Sequence, residues 1–204
     1  MFRRVLERIV RLAVSSMTGR YARKRNLMMR RLMHLRHSKS DWPEGTDDHE
    51  RPLAKRGRKK SPLMGIYMAE KGLLPDLAIV STARRARETW KLVRPAFKQD
   101  IVRRKEPRIY DASAKAILDV INATAFDVEA LLLVGHNPGL QDLALKLIGK
   151  GRQSDLSRLH RKYPTAGLVV IDVDVKRWSD VSEGLGRLER FETPKSIGRV
   201  KGTG

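Results

Sequence analysis

Residues 130–139 read ALLLVGHNPG. Leu131–Val134 is an unbroken apolar run, the text of a strand buried on both faces, as in a parallel sheet covered by helices on each side. His136 stands where the run stops. Gly135 lets the backbone turn tightly there, and Pro138 and Gly139 suit entry into a helix read over residues 140–148. A second histidine has the same setting: residues 31–36 read as the first strand, and His37 follows Arg36 directly. Open α/β sheets carry their chemistry outside the carboxyl ends of their strands. Two histidines delivered there, one beside an arginine, suit a site that handles phosphate.

The rest of the chain alternates in the same way. Residues 59–71 read as a helix stopped by Gly72, and Leu77–Val80 as a short buried strand. Residues 84–93 read as a helix ended ahead of Pro95. Residues 101–107 read as a strand. Ser113 is an N-cap for a helix running to Asn122. Residues 167–173 are strong β text, and residues 188–192 a weaker last strand. Strands alternating with helices predict a three-layer α/β/α sandwich. The stretch from Ser38 to Arg51 reads as a long polar loop with the acids Asp47, Asp48 and Glu50, and loops of that length are often functional.

Between the two histidines lies STARRARET, residues 81–89, again just after an apolar run. The order LRHSKSDW, STARRARET, IYDAS, LLLVGHNPG and YPTAGLVVIDVD resembles the histidine phosphatase superfamily, and within it the small SixA-like phosphohistidine phosphatase branch. The resemblance covers roughly residues 31–194. It implies a phosphoglycerate mutase-like fold, with a mostly parallel sheet and one antiparallel edge strand. It also implies a metal-independent phosphatase with no cofactor, and a phosphorylated substrate such as a phosphohistidine-bearing protein.

The resemblance assigns His37 as nucleophile, a role a neutral imidazole can fill if a hydrogen bond holds its other ring nitrogen. Arg36 and Arg85 are the phosphate clamps. Guanidinium presents a charged fork matched to phosphate oxygens, and the family's Arg-Ala-x-x-Thr pattern selects Arg85 over Arg84 and Arg87. His136 is the second catalytic histidine, a donor to the phosphoryl group. Ser38, Lys39 and Asn137 are candidate phosphate contacts. No residue matches the glutamate acid of larger family members. Asp41 and Asp111 are the candidate proton donors, or else little acid help is needed, as for a phosphoramidate. Arg51 and Arg56 are expected to pair with the loop acids, and His34, His49 and His160 to be structural.

The 204 residues hold no cysteine and carry a net charge of +20. Disulfides and thiolate metal sites are thereby excluded, and a cytoplasmic setting is expected. Residues 1–31 supply much of the charge, with ten Lys/Arg against Glu7 alone. Phe2, Val5, Leu6, Ile9, Val10 and Ala13 recur there at helical spacing, the pattern of a basic amphipathic helix. Residues 1–30 thus read as a surface anchor on anionic lipid, as a transit sequence, or as either a variable extension or text ahead of a true start at Met28 or Met29. The last reading is preferred. Residues 195–204 read as a flexible basic tail. No zinc-finger spacing or aromatic-interleaved basic stripe points to nucleic acid. Two other functions fit the same residues: a small-molecule phosphomonoesterase, or a non-catalytic phosphate-binding or membrane-associated adaptor.

Overall fold

A computed structural model describes residues 29–200, so the amphipathic pattern of the first 28 residues lies outside the described residues. Seven strands form one sheet. They are β1 (Met29–Arg36), β2 (Leu77–Ser81), β3 (Val102–Glu106), β4 (Ala130–Gly135), β5 (Ile148–Gly151), β6 (Leu168–Asp174) and β7 (Gly186–Glu192). The helices are α1 (Lys55–Glu70), α2 (Arg84–Val93), α3 (Ala114–Asn122), α4 (Gly139–Leu147), α5 (Gln153–Arg161) and α6 (Pro194–Val200). The strand order is β3-β2-β4-β1-β6-β7-β5.

The side-chain alternation of the central strands builds both cores. Leu131 and Leu133 of β4 pack with Ile117 and Val120 of α3 and Leu143 and Leu147 of α4. Leu132 and Val134 face the other way, against Met64 and Met68 of α1 and Trp90 and Val93 of α2. Each such side chain contributes about 1.5–3 kcal/mol by leaving water. The outcome is the expected three-layer sandwich.

The reversed strand is not at an edge. β6 runs antiparallel to β1 on one side and to β7 on the other, and β5 adds beyond β7 in parallel. The sheet extends past β6 because IGKG at 148–151 pairs with β7. That segment looks like the end of a helix in the sequence, since its two glycines carry no strand signal.

Both expected domain boundaries also move. Met29 and Arg30 belong to β1, where Met29 pairs with Asp174. The buried Arg30 guanidinium donates to the carbonyls of Val128 and Lys176. At the other end, residues 194–200 are helical rather than a flexible tail. Ile197 is buried against the α1 side of the sheet, and Ser196 caps the turn through Thr193 and Glu192.

α1 begins four residues earlier than expected, because Ala54 offers no capping side chain to mark its start. Its first turn lies directly on the segment after β1. A Cβ at Gly57 would stand 2.1 Å from the Lys39 carbonyl oxygen, so only glycine permits this approach.

Candidate active site

The three neighbouring strands β2, β4 and β1 end side by side, and each delivers a polar residue at its exit: Ser81, His136 and His37. The two imidazole rings stand 5.0 Å apart between centroids. The exit of β1 is held from several sides. The Ala166 amide donates to the carbonyls of Arg36 and His37, and the His37 amide donates to Gly135. The Ser38 amide donates to Thr89 Oγ1 at 3.0 Å.

His37 is buried and 8% exposed. Its Nδ1 donates to the Ser38 carbonyl at 2.7 Å. A carbonyl can only accept, so the proton resides on Nδ1 and Nε2 keeps its lone pair. Burial pushes the imidazole down to about 3, and the Arg85, Arg36 and Arg51 charges act in the same direction. His136 Nε2 is hydrogen-bonded to Ser81 Oγ at 2.8 Å, while its Nδ1 is buried with no partner among the described residues. Burial, then the neighbouring His37 and Arg85, lower His136 as well.

The charges of Arg36 and Arg85 both act on His37 and His136, and the two side chains are held differently. Arg36 donates from Nη1 to the Tyr163 carbonyl at 2.6 Å, and its Nε is buried without a partner. Arg85 donates both terminal nitrogens to one residue, Asp48: to its backbone carbonyl at 2.5 Å and to Oδ2 at 3.0 Å. Tyr110 Oη also donates to Asp48 Oδ2, at 2.7 Å, and Arg51 Nη1 to Oδ1, at 2.9 Å. The Tyr110 hydroxyl and the Arg51 and Arg85 guanidiniums together hold the Asp48 carboxyl far below the usual carboxylate range. Arg84 and Arg87 turn instead to Glu88 and Glu50.

The structure therefore brings Arg36, His37, Arg85 and His136 together, and revises several of the lesser candidates. Asp41 is exposed and its Oδ1 caps the Trp42 amide. Asp111 is exposed in a left-handed turn, with φ of 45°. Neither has a hydrogen bond or ion pair to His37 or His136 among the described residues. Ser38 is buried, with its hydroxyl accepting from Ser61 and its amide already committed to Thr89. Asn137 Nδ2 donates to Gln141 and to the Tyr163 carbonyl, so it braces the turn into α4. Lys39 is exposed. Arg51 pairs with Asp48 as expected, whereas Arg56 shows no ion pair among the described residues.

Sequence reasoning missed Asp48, Tyr110 and Ser81 as members of this site. Asp48 lies in the acidic stretch of the long loop, in a single 3₁₀ turn at Asp48–Glu50. Tyr110 directly precedes Asp111 in IYDAS, and its ring packs edge-on against both His49 and His136.

The buried histidines couple the fold to pH. His34, fully buried within β1, is lowered to about 4 by burial, alongside His37 and His136. In the unfolded chain each titrates near 6.5. The folded state therefore binds fewer protons below that pH. Their contribution is fully present above about pH 6.5 and is lost as pH falls toward their folded values. Scanning calorimetry should show Tm declining between about pH 6.5 and pH 5, above the range where unfolded carboxylates titrate. A Tm flat across that window would contradict neutral buried imidazoles.

No family model matches the chain. The solved structure named "putative phosphohistidine phosphatase SixA" from Agrobacterium tumefaciens is 30% identical, with a TM-score of 0.69 over 81% of this chain and 98% of that one. A like-named protein from Nakamurella multipartitia is 25% identical, with a TM-score of 0.68 over 81% and 96%. An uncharacterized protein of Mycobacterium tuberculosis is 35% identical over 163 residues, 79% of this chain and the whole of its own length. The chain belongs to the histidine phosphatase superfamily. Both solved structures compared above carry the SixA name.

Proposed function

We propose that this chain is a phosphatase that hydrolyses phosphohistidine through a covalent intermediate on His37. One observation carries the reading: an imidazole held neutral, with Nδ1 tied to the Ser38 carbonyl and Nε2 left free, feels the charges of the buried Arg85 and the half-buried Arg36. Nε2 attacks phosphorus in line. The P–N bond to the substrate breaks with its electron pair going to the departing nitrogen, and the imidazole leaves neutral because its other ring nitrogen carries a proton. Water then attacks the phosphoryl group on His37, releasing orthophosphate and restoring the free imidazole. Arg36 and Arg85 meet the charge on the equatorial oxygens during both steps. The phosphoryl group takes the place of Asp48 on Arg85. His136 donates to a phosphoryl oxygen through the ring nitrogen that lacks a protein partner.

The choice of a phosphoramidate over an alcohol phosphate rests on the acids. An alkoxide leaving group requires a protonated donor. Asp48, which the structure ties to Arg85, is held ionised by Tyr110, Arg51 and Arg85, and Asp41 and Asp111 make no hydrogen bond to either histidine among the described residues. An imidazole leaving group carries its own basic nitrogen and does not need that help.

The deciding comparison is phosphate release from a phosphohistidine-bearing protein and from sugar phosphates under the same conditions. Release from the former should exceed the latter by about 10²-fold or more in kcat/KM, the size of one general-acid contribution. The reverse preference would make the chain a small-molecule phosphomonoesterase.

A further inference from the structure

A cavity of about 540 Å³ opens beside the candidate active site, between the first turns of α1, the turn at residues 162–166, and Thr193–Lys195. Five cations line it, Lys39, Arg56, Lys60, Lys162 and Lys195, and no carboxylate does. None of the five has an ion pair among the described residues. Like charges gathered in a concave site repel one another and focus a strong positive potential there. Nothing in the packing of the cores requires them: Lys39 and Lys195 are exposed.

The cleft is distinct from the histidine pair, since neither His37 nor His136 lines it. It is nonetheless built on the same segment. The Lys39 carbonyl accepts from the Ala54 amide at 2.9 Å, ahead of α1, and the Ala166 amide holds the carbonyls of Arg36 and His37. One wall of the cleft is thus the other side of the turn that positions the nucleophile.

We propose that this cleft is a second anion site, which binds an oligophosphate group. Its volume is that of a small-molecule site. Lysine ammonium groups serve phosphate as point charges, and the Thr165 side chain on the lining adds a hydroxyl. A compact group with several negative charges offsets the mutual repulsion of five cations, which a single carboxylate does not. The group is either the far end of a substrate whose terminal phosphoryl sits on His37, or a separate effector. The proposal is independent of the phosphohistidine reading, because it concerns binding at residues outside the histidine site.

The test is calorimetric titration of the full chain with tripolyphosphate at fixed ionic strength. Arg56→Ala/Lys60→Ala and, separately, Lys162→Ala/Lys195→Ala should each weaken binding by about tenfold or more, the loss expected for charge-assisted contacts. Arg85→Ala should leave it largely intact, and hydrolysis of a small phosphoramidate without tripolyphosphate should be unchanged in both double variants. Wild-type affinity in both would overturn the proposal, and so would loss of binding on Arg85→Ala alone. The source of the group follows from inhibition by tripolyphosphate. Competition with a substrate that itself carries an oligophosphate, but not with the small phosphoramidate, identifies one molecule spanning both sites. A change in phosphoramidate turnover at unchanged KM identifies a separate effector. Either pattern supports the cleft.

Discussion

Replacement of His37 by alanine is expected to lower phosphate release by about 10⁴-fold or more, the usual consequence of removing a covalent nucleophile. No neighbour can take over. His136 is hydrogen-bonded to Ser81 and stands 5.0 Å away between ring centroids, and His34 is fully buried within the sheet. The fold should survive, because the β1 exit is held by backbone bonds through Arg36, His37 and Ala166 that do not use the imidazole. The informative experiment is single-turnover phosphate release with an acid-insensitive count of released product, followed by a search for phosphoryl-enzyme in base-quenched samples. Phosphorylated His37 in the wild-type chain, and none in the variant, is the expected pair of results. A variant that keeps more than about a tenth of the rate would remove His37 from the chemistry altogether.

Alanine at Arg85 should cost about 10³-fold in kcat, within the range seen when a phosphoryl-stabilising arginine is removed. The loss should exceed that of a charge alone. Arg85 is buried at 7% exposure and presents two nitrogens to Asp48. Without it, the Asp48 carboxylate remains near the incoming phosphoryl group with only Arg51 and Tyr110 to satisfy it, and like charges then oppose each other. Two consequences separate this account from simple misfolding. Arg85→Lys should recover only part of the rate, because an ammonium lacks the planar fork. Asp48→Asn combined with Arg85→Ala should be less damaging than the sum of the two single changes, since the residues share one interaction. Strict additivity in kcat would show that Asp48 has no bearing on how Arg85 meets phosphate.

What the sequence disclosed about the fold follows from how strongly each segment repeats its pattern. β4, α2 and α3 were legible because ALLLV, the amphipathic run of residues 84–93 and the Ser113 cap each give a single reading. The Ser113 hydroxyl indeed accepts from the Ala116 amide. β5 and α5 were not legible. IGKG has neither branching nor alternation, and Gln153–Arg161 offers Leu156 and Leu159 as its apolar residues amid charge. The strands' carboxyl ends, and so the meeting of His37 with His136, could be anticipated from local text. Asp48 could not, because its partners Arg85 and Tyr110 are 37 and 62 residues away. A contact between one turn of a loop and a helix far along the chain leaves no local periodicity to detect. The same holds for the basic cleft, whose cations come from four separate segments.

The two margins of the sheet also determine what the molecule does not do. β3 ends the sheet on one side with Arg103, Arg104 and Lys105 in a five-residue strand. β5 ends it on the other with four residues, and its register with β7 shifts between Ile148 and Lys150. Short length, positive charge and an irregular ladder are the features that discourage strand addition at an open margin. A neighbouring chain in extended form therefore finds no flat template at either side. Crowding of copies through cross-strand pairing is thus opposed at both ends of the sheet.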